Sequence, residues 1–476
     1  MFLLEKIPQI RIIQDLARKR KLQVHLVGGY LRDHFLGIEK TDLDFAVSKD
    51  ALKLAEIFAG QIKGAYIVLD QERGCARVAK KEKGAILTFD FADFRAKGLK
   101  ADLSLRDFTI NTLSVDILKL SEGTDIKDLI ADEKNGSADL KRKVIRMVSS
   151  GGFIDDPLRV LRAFSLRASL GFTIESKTIK QIQKDKHLLK DVSAERIREE
   201  LFKILASANT YETFVQMDKL KVLELIIPQL QVMFDCEQGG YHHLDVWKHS
   251  LEAIRQFEEL LKEVKDDVKI NEYLLETISS PHTRRDIIKL ALLLHDIGKP
   301  ETRKKEKERY TFHGHEHVGK YIARNIARML RFSSRERYAL EDMVLWHLRP
   351  GYLSNFAHPT KKAVFRFFRD AKEEAASILL LSLADQRATR GTLSSVKEEK
   401  HHREICQRLL KEFFHKKQEK PIVRLITGDD LIKKLKLKPS PLFKKILSAV
   451  EEKQALGKIV DKKQALELAR KIANKS

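Results

Sequence analysis

The stretch from Val24 to Val47 constrains the fold of this chain more than any other. Its first residues, VHLV, predict a short strand, and the glycine pair Gly28-Gly29 ends that strand before an amphipathic turn of helix. A second strand then presents Asp42 and Asp44, whose side chains point to the same side because residues alternate along a strand. Carboxylates placed in this way can share divalent cations, and glycines let backbone N–H groups approach a polyphosphate. The stretch therefore predicts a nucleoside triphosphate site with magnesium.

The full stretch, VHLVGGYLRDHFLGIEKTDLDFAV, resembles the catalytic signature of class II tRNA nucleotidyltransferases and bacterial poly(A) polymerases. The resemblance implies a polymerase-β-type head in which Asp42 and Asp44 are catalytic and hold two Mg²⁺ ions. It also implies that the GGxxRD part binds the triphosphate through Gly28, Gly29, Arg32 and Asp33. The alternative interpretation is a turn between two buried strands that carries solvated aspartates.

The charge balance limits the classes of partner. The 476 residues include 90 Lys and Arg against 68 Asp and Glu, a net charge of +22. Such an excess favours polyanions, with nucleic acid first and an acidic membrane surface second. No apolar run approaches membrane-spanning length, and Glu5 and Lys6 interrupt the place of a signal-peptide core, so we expect a cytoplasmic protein. The cysteines are scattered without CxxC spacing, which predicts reduced, mostly structural thiols at Cys75, Cys236 and Cys406.

The expected fold class is α+β. A leading amphipathic helix over residues 2–22 precedes the opening stretch, and a helix at Ala51–Phe58 follows it. Alternating apolar segments at residues 65–69, 75–79 and 86–91 predict further strands of a small head with a mixed sheet. The high charged fraction and the abundance of helix formers predict an all-helical body after the head.

A second motif, RDFTIN, runs from Arg106 to Asn111. It resembles the family motif RRDFTIN, except that Leu105 replaces the first arginine. The resemblance implies that Arg106, Asp107 and Asn111 contact the ribose and triphosphate of the incoming nucleotide. The alternative is a capped helix start with Asp107 as N-cap, and both interpretations place the motif at a strand-to-helix junction.

The segment before RDFTIN reads FDFADFRAKGLKADLSL. In its first part the resemblance favours Asp90 over Asp93 as a further carboxylate near the metals, and a solvent-facing aspartate on an edge strand is the alternative. In its second part, many CCA-adding members have a longer flexible loop that is associated with the switch from C to A addition. The short linker here leaves CC-only addition open.

A third motif, DDPLR, contains Asp156 and Arg159, three residues apart and therefore on one face of a helix. A carboxylate can accept from the exocyclic amino group of C or A while a guanidinium donates to the ring, whereas U and G present a carbonyl oxygen there. The motif resembles the family's EDxxR, which implies selection of CTP and ATP without a nucleic-acid template. An ordinary surface salt bridge is the alternative. Arg162 and Arg167 extend a basic face towards the triphosphate or the RNA end.

The segment Ser193–Leu205, SAERIREELFKIL, resembles the fifth family motif. Glu195 and Arg198 lie at helical spacing, and we expect them to brace the helix that carries Asp156 and Arg159. Their expected role is structural.

Histidines gather after residue 241, and His295-Asp296 follows an apolar helix. Adjacent histidine and aspartate are a recurrent metal pair that suits Mn, Ni, Fe, Zn or Mg. The segment resembles the HD phosphohydrolase superfamily, which implies His249, His295, Asp296 and Asp385 as ligands, with His317 and His347 as candidates for a second metal. Ordinary core or surface histidines are the alternative. An active site of this kind would hydrolyse phosphomonoesters or cyclic phosphodiesters.

The tail is rich in lysine, and its runs suit sequence-independent phosphate contacts at Lys433, Lys434, Lys436, Lys444 and Lys445. We expect a catalytic head at 1–150 and a neck for nucleotide selection and RNA contact at 151–240. An HD phosphohydrolase-like domain at 241–397 and an RNA-binding tail at 398–476 follow.

The resemblance therefore implies a tRNA nucleotidyltransferase that adds C and A to the tRNA 3′ end from CTP and ATP. Poly(A) polymerase, a phosphohydrolase acting on RNA ends and a non-catalytic RNA-binding protein remain alternatives. The motifs leave the oligomeric state open.

Overall fold

The computed structural model describes residues 3–82, 84–239, 243–306, 309–389, 395–418 and 423–474. The chain forms two compact units, Met1–Glu200 and Leu201–Ser476. The expected boundary between residues 240 and 241 lies outside the described residues.

The first unit is built on a mixed sheet, as predicted. Its strands are β1 Val24–Val27, β2 Asp42–Val47, β3 Ala65–Asp70, β4 Cys75–Glu82, β5 Ala85–Asp93 and β6 Ser114–Asp116. Their order is β3-β4-β5-β2-β1-β6, and the β2–β5 pair is parallel while the other pairs are antiparallel. Two further strands, β7 Val144–Ile145 and β8 Thr173–Ile174, form a separate parallel pair. The parallel step between β2 and β5 sets the aspartates of the two strands side by side.

Helices pack around this sheet because their apolar residues recur at helical spacing. They are α1 Leu3–Lys6, α2 Gln9–Arg20, α3 Gly29–Phe35, α4 Ala51–Ile62, α5 Leu99–Ser104, α6 Gly136–Arg142, α7 Gly152–Asp155, α8 Arg159–Leu170, α9 Ser176–Asp185 and α10 Ala194–Ala206. In the core, the Phe58 ring of α4 meets Phe89 and Phe91 of β5 edge-on at 5.0 and 5.6 Å between centroids. Such aromatic packing fixes α4 against β5.

Two local predictions in the first unit are wrong. The single leading helix is two helices, because Pro8 between α1 and α2 has no N–H to continue the hydrogen-bond ladder. RDFTIN does not lie at a strand-to-helix junction: it connects α5 to β6 and contains only a short 3-10 turn, Thr109–Asn111. The N-cap position of that turn is Phe108, not Asp107, and no side chain caps the turn there. The short linker before it is largely helical, since α5 occupies most of it.

The second unit is mostly helical, which confirms the predicted fold class apart from two small hairpins. Its helices are α11 Thr210–Lys219, α12 Leu223–Ile226, α13 Val246–Glu263, α14 Val268–Leu275, α15 Arg284–Leu294, α16 Lys299–Thr302, α17 His315–Met329, α18 Ser334–Trp346, α19 Arg349–Ser354, α20 Lys361–Ala371, α21 Ala375–Ala388, α22 Val396–Gln418, α23 Gly428–Leu435, α24 Pro441–Ala455 and α25 Lys462–Ala473. The hairpins pair β9 Thr277–Ser279 with β10 His282–Thr283, and β11 Lys304–Glu306 with β12 Arg309–Thr311.

The last three helices share a small core of their own, formed by Ile426, Leu431, Ile446, Val450, Ile459, Ala465 and Ala469. The five lysines singled out in the tail are exposed around this core. Within the described ranges, every helix is too short or too polar to cross a bilayer.

Candidate active site

The opening aspartates lie where β2 meets its parallel neighbour. Asp42 pairs in register with Thr88 and accepts a hydrogen bond from its hydroxyl, and Asp44 pairs with Asp90. Because equivalent positions of parallel strands face the same side, the carboxyl groups of Asp42, Asp44 and Asp90 form one cluster. The sheet therefore unites residues from two strands far apart in sequence.

Gly28 lies next to this cluster and, because it has no side chain, leaves the carboxylates accessible. Its φ is +78°, and a Cβ atom placed there would lie 3.0 Å from Asp44 Oδ2 and 3.5 Å from Arg106 Nη1. Any side chain would therefore crowd the carboxylate and the guanidinium beside it. Glycine at this position keeps the space between the two charges open to a ligand.

The carboxylates of the cluster repel one another, and this repulsion contributes to a raised pKa of Asp44. Burial raises that pKa to about 6, the charges of Asp90 and Asp42 add to the rise, and Arg106 opposes it. Clustered carboxylate oxygens are the donor set that Mg²⁺ prefers, and a divalent cation would offset their mutual repulsion. The residues present thus fit a magnesium site.

Sequence reasoning missed Arg77, which holds Asp90 in place. Its Nε donates to Asp90 Oδ1 and its Nη2 to Oδ2, both at 2.7 Å. The two residues are cross-strand neighbours on β4 and β5, so the strand register was the signal that could have revealed the pair. Asp93 instead accepts the backbone N–H of Ala51 at 2.8 Å, at the start of α4. Of the two candidate carboxylates, Asp90 is the one beside Asp44.

Arg32 connects the first two motifs. Its Nε and Nη2 donate to the two carboxylate oxygens of Asp33 at 2.8 and 2.9 Å, and its Nη1 donates to Asn111 Oδ1 at 2.8 Å. Asn111 Nδ2 in turn donates to Asp107 Oδ1 at 3.0 Å. The GGxxRD and RDFTIN residues therefore form one hydrogen-bonded network.

Arg162 completes this network from α8. Its Nε and Nη2 donate to Asp107 Oδ2 at 2.9 and 2.7 Å. Although burial acts to raise the pKa of Asp107, the charge of Arg162 and the hydrogen bonds from Asn111, Arg162 and the Phe108 N–H lower it to about 2. Asp107 is thus ionised, and the guanidinium of Arg162 is paired with it.

Asp156 and Arg159 lie on a cavity of about 1270 Å³ whose walls include Phe94, Arg95, Leu105 and Arg196. The prediction that the two share a helix face is wrong. Asp156 ends α7 in extended conformation, with φ −148° and ψ 96°, and α8 begins only at Arg159. Pro157 explains the break, because the residue before a proline is disfavoured in the helical region. The structure nevertheless brings both side chains to one cavity.

The HD histidines and aspartates form a buried cluster in the second unit. His249 Nε2 lies 2.9 Å from Asp385 Oδ1, and His295 Nε2 lies 3.2 Å from Asp296 Oδ2 and 3.5 Å from Asp385 Oδ1. Ligand atoms of His249, His295 and Asp385 approach within 4.8 Å of one another. All four predicted ligands are therefore brought together.

A second group in the cluster contains Asp296, His315 and His347. His347 was predicted, but His315 takes the place predicted for His317. The two are separated by two positions on α17, which places them on opposite faces of the helix, and the His317 side chain is 72% exposed. Helix phase decides between them, and the sequence alone did not reveal where α17 begins.

Hydrogen bonds prepare these imidazoles as ligands. The Nδ1 atoms of three histidines contact backbone carbonyls three residues earlier at 2.7–2.8 Å, in the pairs His295–Leu292, His315–Phe312 and His347–Val344. An Nδ1–H donated to a carbonyl directs Nε2 into the cluster, and a neutral ring then presents the Nε2 lone pair to a metal. Together with two aspartates, this donor set fits a divalent transition metal.

The charges of the cluster are strongly coupled. Burial alone would lower the pKa of His295, but Asp296 and Asp385 raise it to about 10. Burial lowers the pKa of His347 to about 3, so that ring stays neutral. Lys299, which sequence reasoning did not select, donates to Asp296 Oδ2 at 2.6 Å. The aspartates are thus held ionised beside cations.

Comparisons with known proteins identify the families that this chain resembles. The chain matches the models of the poly A polymerase head domain over residues 24–146, the probable RNA and SrmB-binding site of polymerase A over 171–234, and the HD domain over 246–456. It is 31% identical to the A-adding tRNA nucleotidyltransferase of Deinococcus radiodurans, covering 91% of this chain and 92% of that protein. It is 29% identical to the CC-adding tRNA nucleotidyltransferase of Thermus thermophilus, covering 92% and 91%.

Solved structures share the fold. The Thermotoga maritima CCA-adding enzyme complexed with tRNA(CCA) superposes with a TM-score of 0.59 at 20% identity, over 99% of this chain and 95% of that one. A CCA-adding enzyme with ATP gives a TM-score of 0.61 at 21% identity, over 97% and 93%.

Proposed function

Because the chain belongs to the tRNA nucleotidyltransferase family and is a nucleotidyltransferase, we propose that it adds C and A to the 3′ end of tRNA from CTP and ATP. The observation that supports this most directly is the carboxylate cluster of Asp42, Asp44 and Asp90 beneath Gly28. In the same unit, Asp156 and Arg159 face a cavity large enough for a nucleotide. No nucleic-acid template is needed if these two side chains choose the base.

Asp42 and Asp44 would hold Mg²⁺, which when bound lowers the pKa of the RNA 3′-hydroxyl and stabilises the departing pyrophosphate. The glycine pair at the start of α3 offers backbone N–H groups to the triphosphate. Arg106, beside Asp44, supplies a cation on the same side, while Arg32, Asp33 and Asn111 keep the two motifs in register. The contribution of this chain is therefore mainly positioning and charge stabilisation.

The linker between β5 and RDFTIN bears on which bases are added. Asp102 of α5, 2% exposed, accepts from Arg95 Nε at 3.1 Å and from Arg106 Nη2 at 3.4 Å. A short helix fixed by a buried aspartate has little freedom to rearrange between C and A addition. This supports CC-only addition as a variant of the proposed activity.

A second function is proposed for the HD cluster, because six histidines and aspartates converge there. With a divalent metal bound, His249, His295, Asp296 and Asp385 would support hydrolysis of phosphomonoesters or cyclic phosphodiesters at RNA ends. The full chain is incubated with 2′,3′-cyclic phosphate RNA and each of Mn²⁺, Ni²⁺, Zn²⁺ and Mg²⁺. Opening of the cyclic phosphate to a terminal phosphomonoester, or release of phosphate from that monoester, supports this activity if the product disappears in Asp296→Asn. Formation of neither product with any metal would exclude it.

The proposed division of labour follows the motifs. Residues 1–150 carry out transfer, 151–240 select the nucleotide and contact RNA, 241–397 form the HD domain, and 398–476 bind RNA.

The main test uses tRNA ending before CCA, tRNA-C, tRNA-CC and an unstructured RNA, each with labelled CTP or ATP. Growth by CCA supports the full activity, growth by CC only supports the variant, and long A tails would instead indicate a poly(A) polymerase.

Asp42→Ala is expected to reduce incorporation by at least about 100-fold while RNA binding persists. Asp15→Ala, at an exposed site on α2, is the control. Full incorporation by Asp42→Ala would contradict the proposal.

A further inference from the structure

Arg196 is a third charged group beside the base-selecting pair. Its Nη2 donates to both carboxylate oxygens of Asp156, at 3.1 Å to Oδ1 and 2.9 Å to Oδ2. The side chains are 51% and 30% exposed, and both line the same cavity. Arg196 belongs to α10, whose charges were expected to be only structural, and it was not among the residues selected there.

Asp156 depends on outside support because of where it lies. It is the C-terminal cap of α7, where its N–H donates to the Gly152 carbonyl at 3.2 Å, but its extended φ and ψ take its side chain out of the helical array. Besides Arg196, its Oδ1 accepts the backbone N–H of Leu158 at 3.3 Å. The Leu158 contact reaches only one oxygen, whereas the shared Nη2 of Arg196 fixes the plane of the whole carboxylate. Oδ1 accepts both of these hydrogen bonds, whereas Oδ2 accepts the bond from Arg196 and retains a further lone pair for a ligand.

Arg159 is fixed by a different segment. Its Nη2 donates to the backbone carbonyl of Leu105 at 2.7 Å, at the end of α5. The two base-reading side chains are therefore held independently, one from α10 and one from α5. Their relative geometry, on which recognition of two adjacent base atoms depends, requires both supports.

We propose that Arg196 is a positioning residue for base selection, which orients the Asp156 carboxylate towards the exocyclic amino group of cytosine or adenine. This inference rests on the proposed function. A carboxylate in the fixed plane accepts from an amino group and repels the carbonyl oxygen that uracil or guanine presents at the same place. A carboxylate that is free to rotate loses the hydrogen bond from the amino group and repels the carbonyl oxygen less.

Arg196→Ala should therefore lower the ratio of kcat/KM for CTP to that for UTP by about tenfold, the effect of one hydrogen bond to a charged group. The loss of kcat/KM should come mainly from a higher KM for CTP, with kcat at saturating CTP nearly unchanged. The reason is that the contacts of Arg196 do not include the carboxylate cluster. Arg196→Lys, which keeps the charge but donates with different geometry, should lie between the wild type and Arg196→Ala.

The test measures CTP, ATP and UTP kinetics on the truncated tRNA, with thermal unfolding recorded for each variant. Arg142→Ala, the loss of an exposed arginine on α6, is the matched control and should keep wild-type selectivity. In an Asp156→Asn background, Arg196→Ala should cause no further loss of selectivity. Should Arg196→Ala fail to fold, Arg196→Lys and its cycle with Asp156→Asn provide the same comparison.

The outcomes are separable. A wild type that incorporates no nucleotide overturns the proposed function. An active wild type with unchanged selectivity in Arg196→Ala, or with an equal loss in the Asp156→Asn background, overturns the role of Arg196 alone.

Discussion

At the scale of single residues, the head site is a set of charges that neighbouring backbone and side chains keep in place. Burial, together with the like charges of Asp90 and Asp42, raises the pKa of Asp44 to about 6. Asp107 has the opposite environment, and its pKa falls to about 2. The contrast separates an aspartate suited to a cation ligand from one whose cation, Arg162, is already present.

Replacing Gly28 by alanine tests whether space at the carboxylate cluster is needed. The added Cβ would lie 3.0 Å from Asp44 Oδ2, so nucleotide incorporation should fall steeply. Gly37→Ala is a matched control, since Gly37 also has positive φ, +72°, but a Cβ added there would have no atom of the described residues within 4 Å. Both variants should lose about 1 kcal/mol of unfolding free energy in urea titrations. Equal activities of the two variants would contradict the prediction.

The Asp107–Arg162 pair makes stability depend on acid pH. The folded-state pKa of Asp107 lies below its ordinary value of 3.8, so its stabilising contribution is complete above about pH 4 and is lost as pH falls towards about 2. Arg162→Ala should cost about 2–4 kcal/mol at pH 7, because it leaves a carboxylate buried without its cation.

Asp107→Asn is the partner variant for this prediction. It removes the charge, so Arg162→Ala should cost much less when added to it. Urea unfolding at pH 7 and pH 3 measures both effects, and additive losses would show that the two side chains do not interact.

At the scale of elements, helix phase and strand register decide which side chains meet. Helix α17 begins at His315, so that residue faces the buried cluster and His317 faces solvent. In the first unit, the parallel register of β2 and β5 aligns Asp44 with Asp90. A shift of one residue in the strand register would carry every side chain of the strand to the opposite face of the sheet.

The histidines of α17 provide a matched pair for metal binding. In an Asp42→Ala/Asp44→Ala background, which removes the head carboxylates, His315→Ala should weaken Mn²⁺ or Ni²⁺ binding by at least about tenfold. His317→Ala should leave it unchanged. Isothermal titration of the full chain with either ion gives the comparison, and equal effects would contradict the placement of His315 in the cluster.

At the scale of the whole molecule, the net charge of +22 indicates a polyanionic partner, and the tail presents exposed lysines around its own small core. Contacts with phosphates are independent of sequence and weaken with salt. In the proposed function, the tail adds affinity for RNA while Asp156 and Arg159 of the first unit choose the base.

Charge reversal in the tail should weaken RNA binding without altering base choice. Lys444→Glu/Lys445→Glu is expected to lower tRNA affinity and to reduce the slope of log affinity against log salt by about one unit per lost phosphate contact. The control is Lys19→Glu/Arg20→Glu, which makes the same change of charge at the exposed end of α2, outside the tail. Fluorescence anisotropy at several salt concentrations measures the slopes. An equal decrease in both variants would indicate a general charge effect.

The sequence by itself determined the features that depend on neighbours along the chain. In the opening stretch a strand, a glycine pair, a helix and two aspartates follow one another along the chain. The matching motifs were sufficient to predict the family. The tertiary structure decided the rest. The pairing of β4 with β5 brought Arg77 to Asp90, and α10 brought Arg196 to Asp156. These contacts join segments distant in sequence, and only the register and packing of the folded chain select one partner among many charged residues.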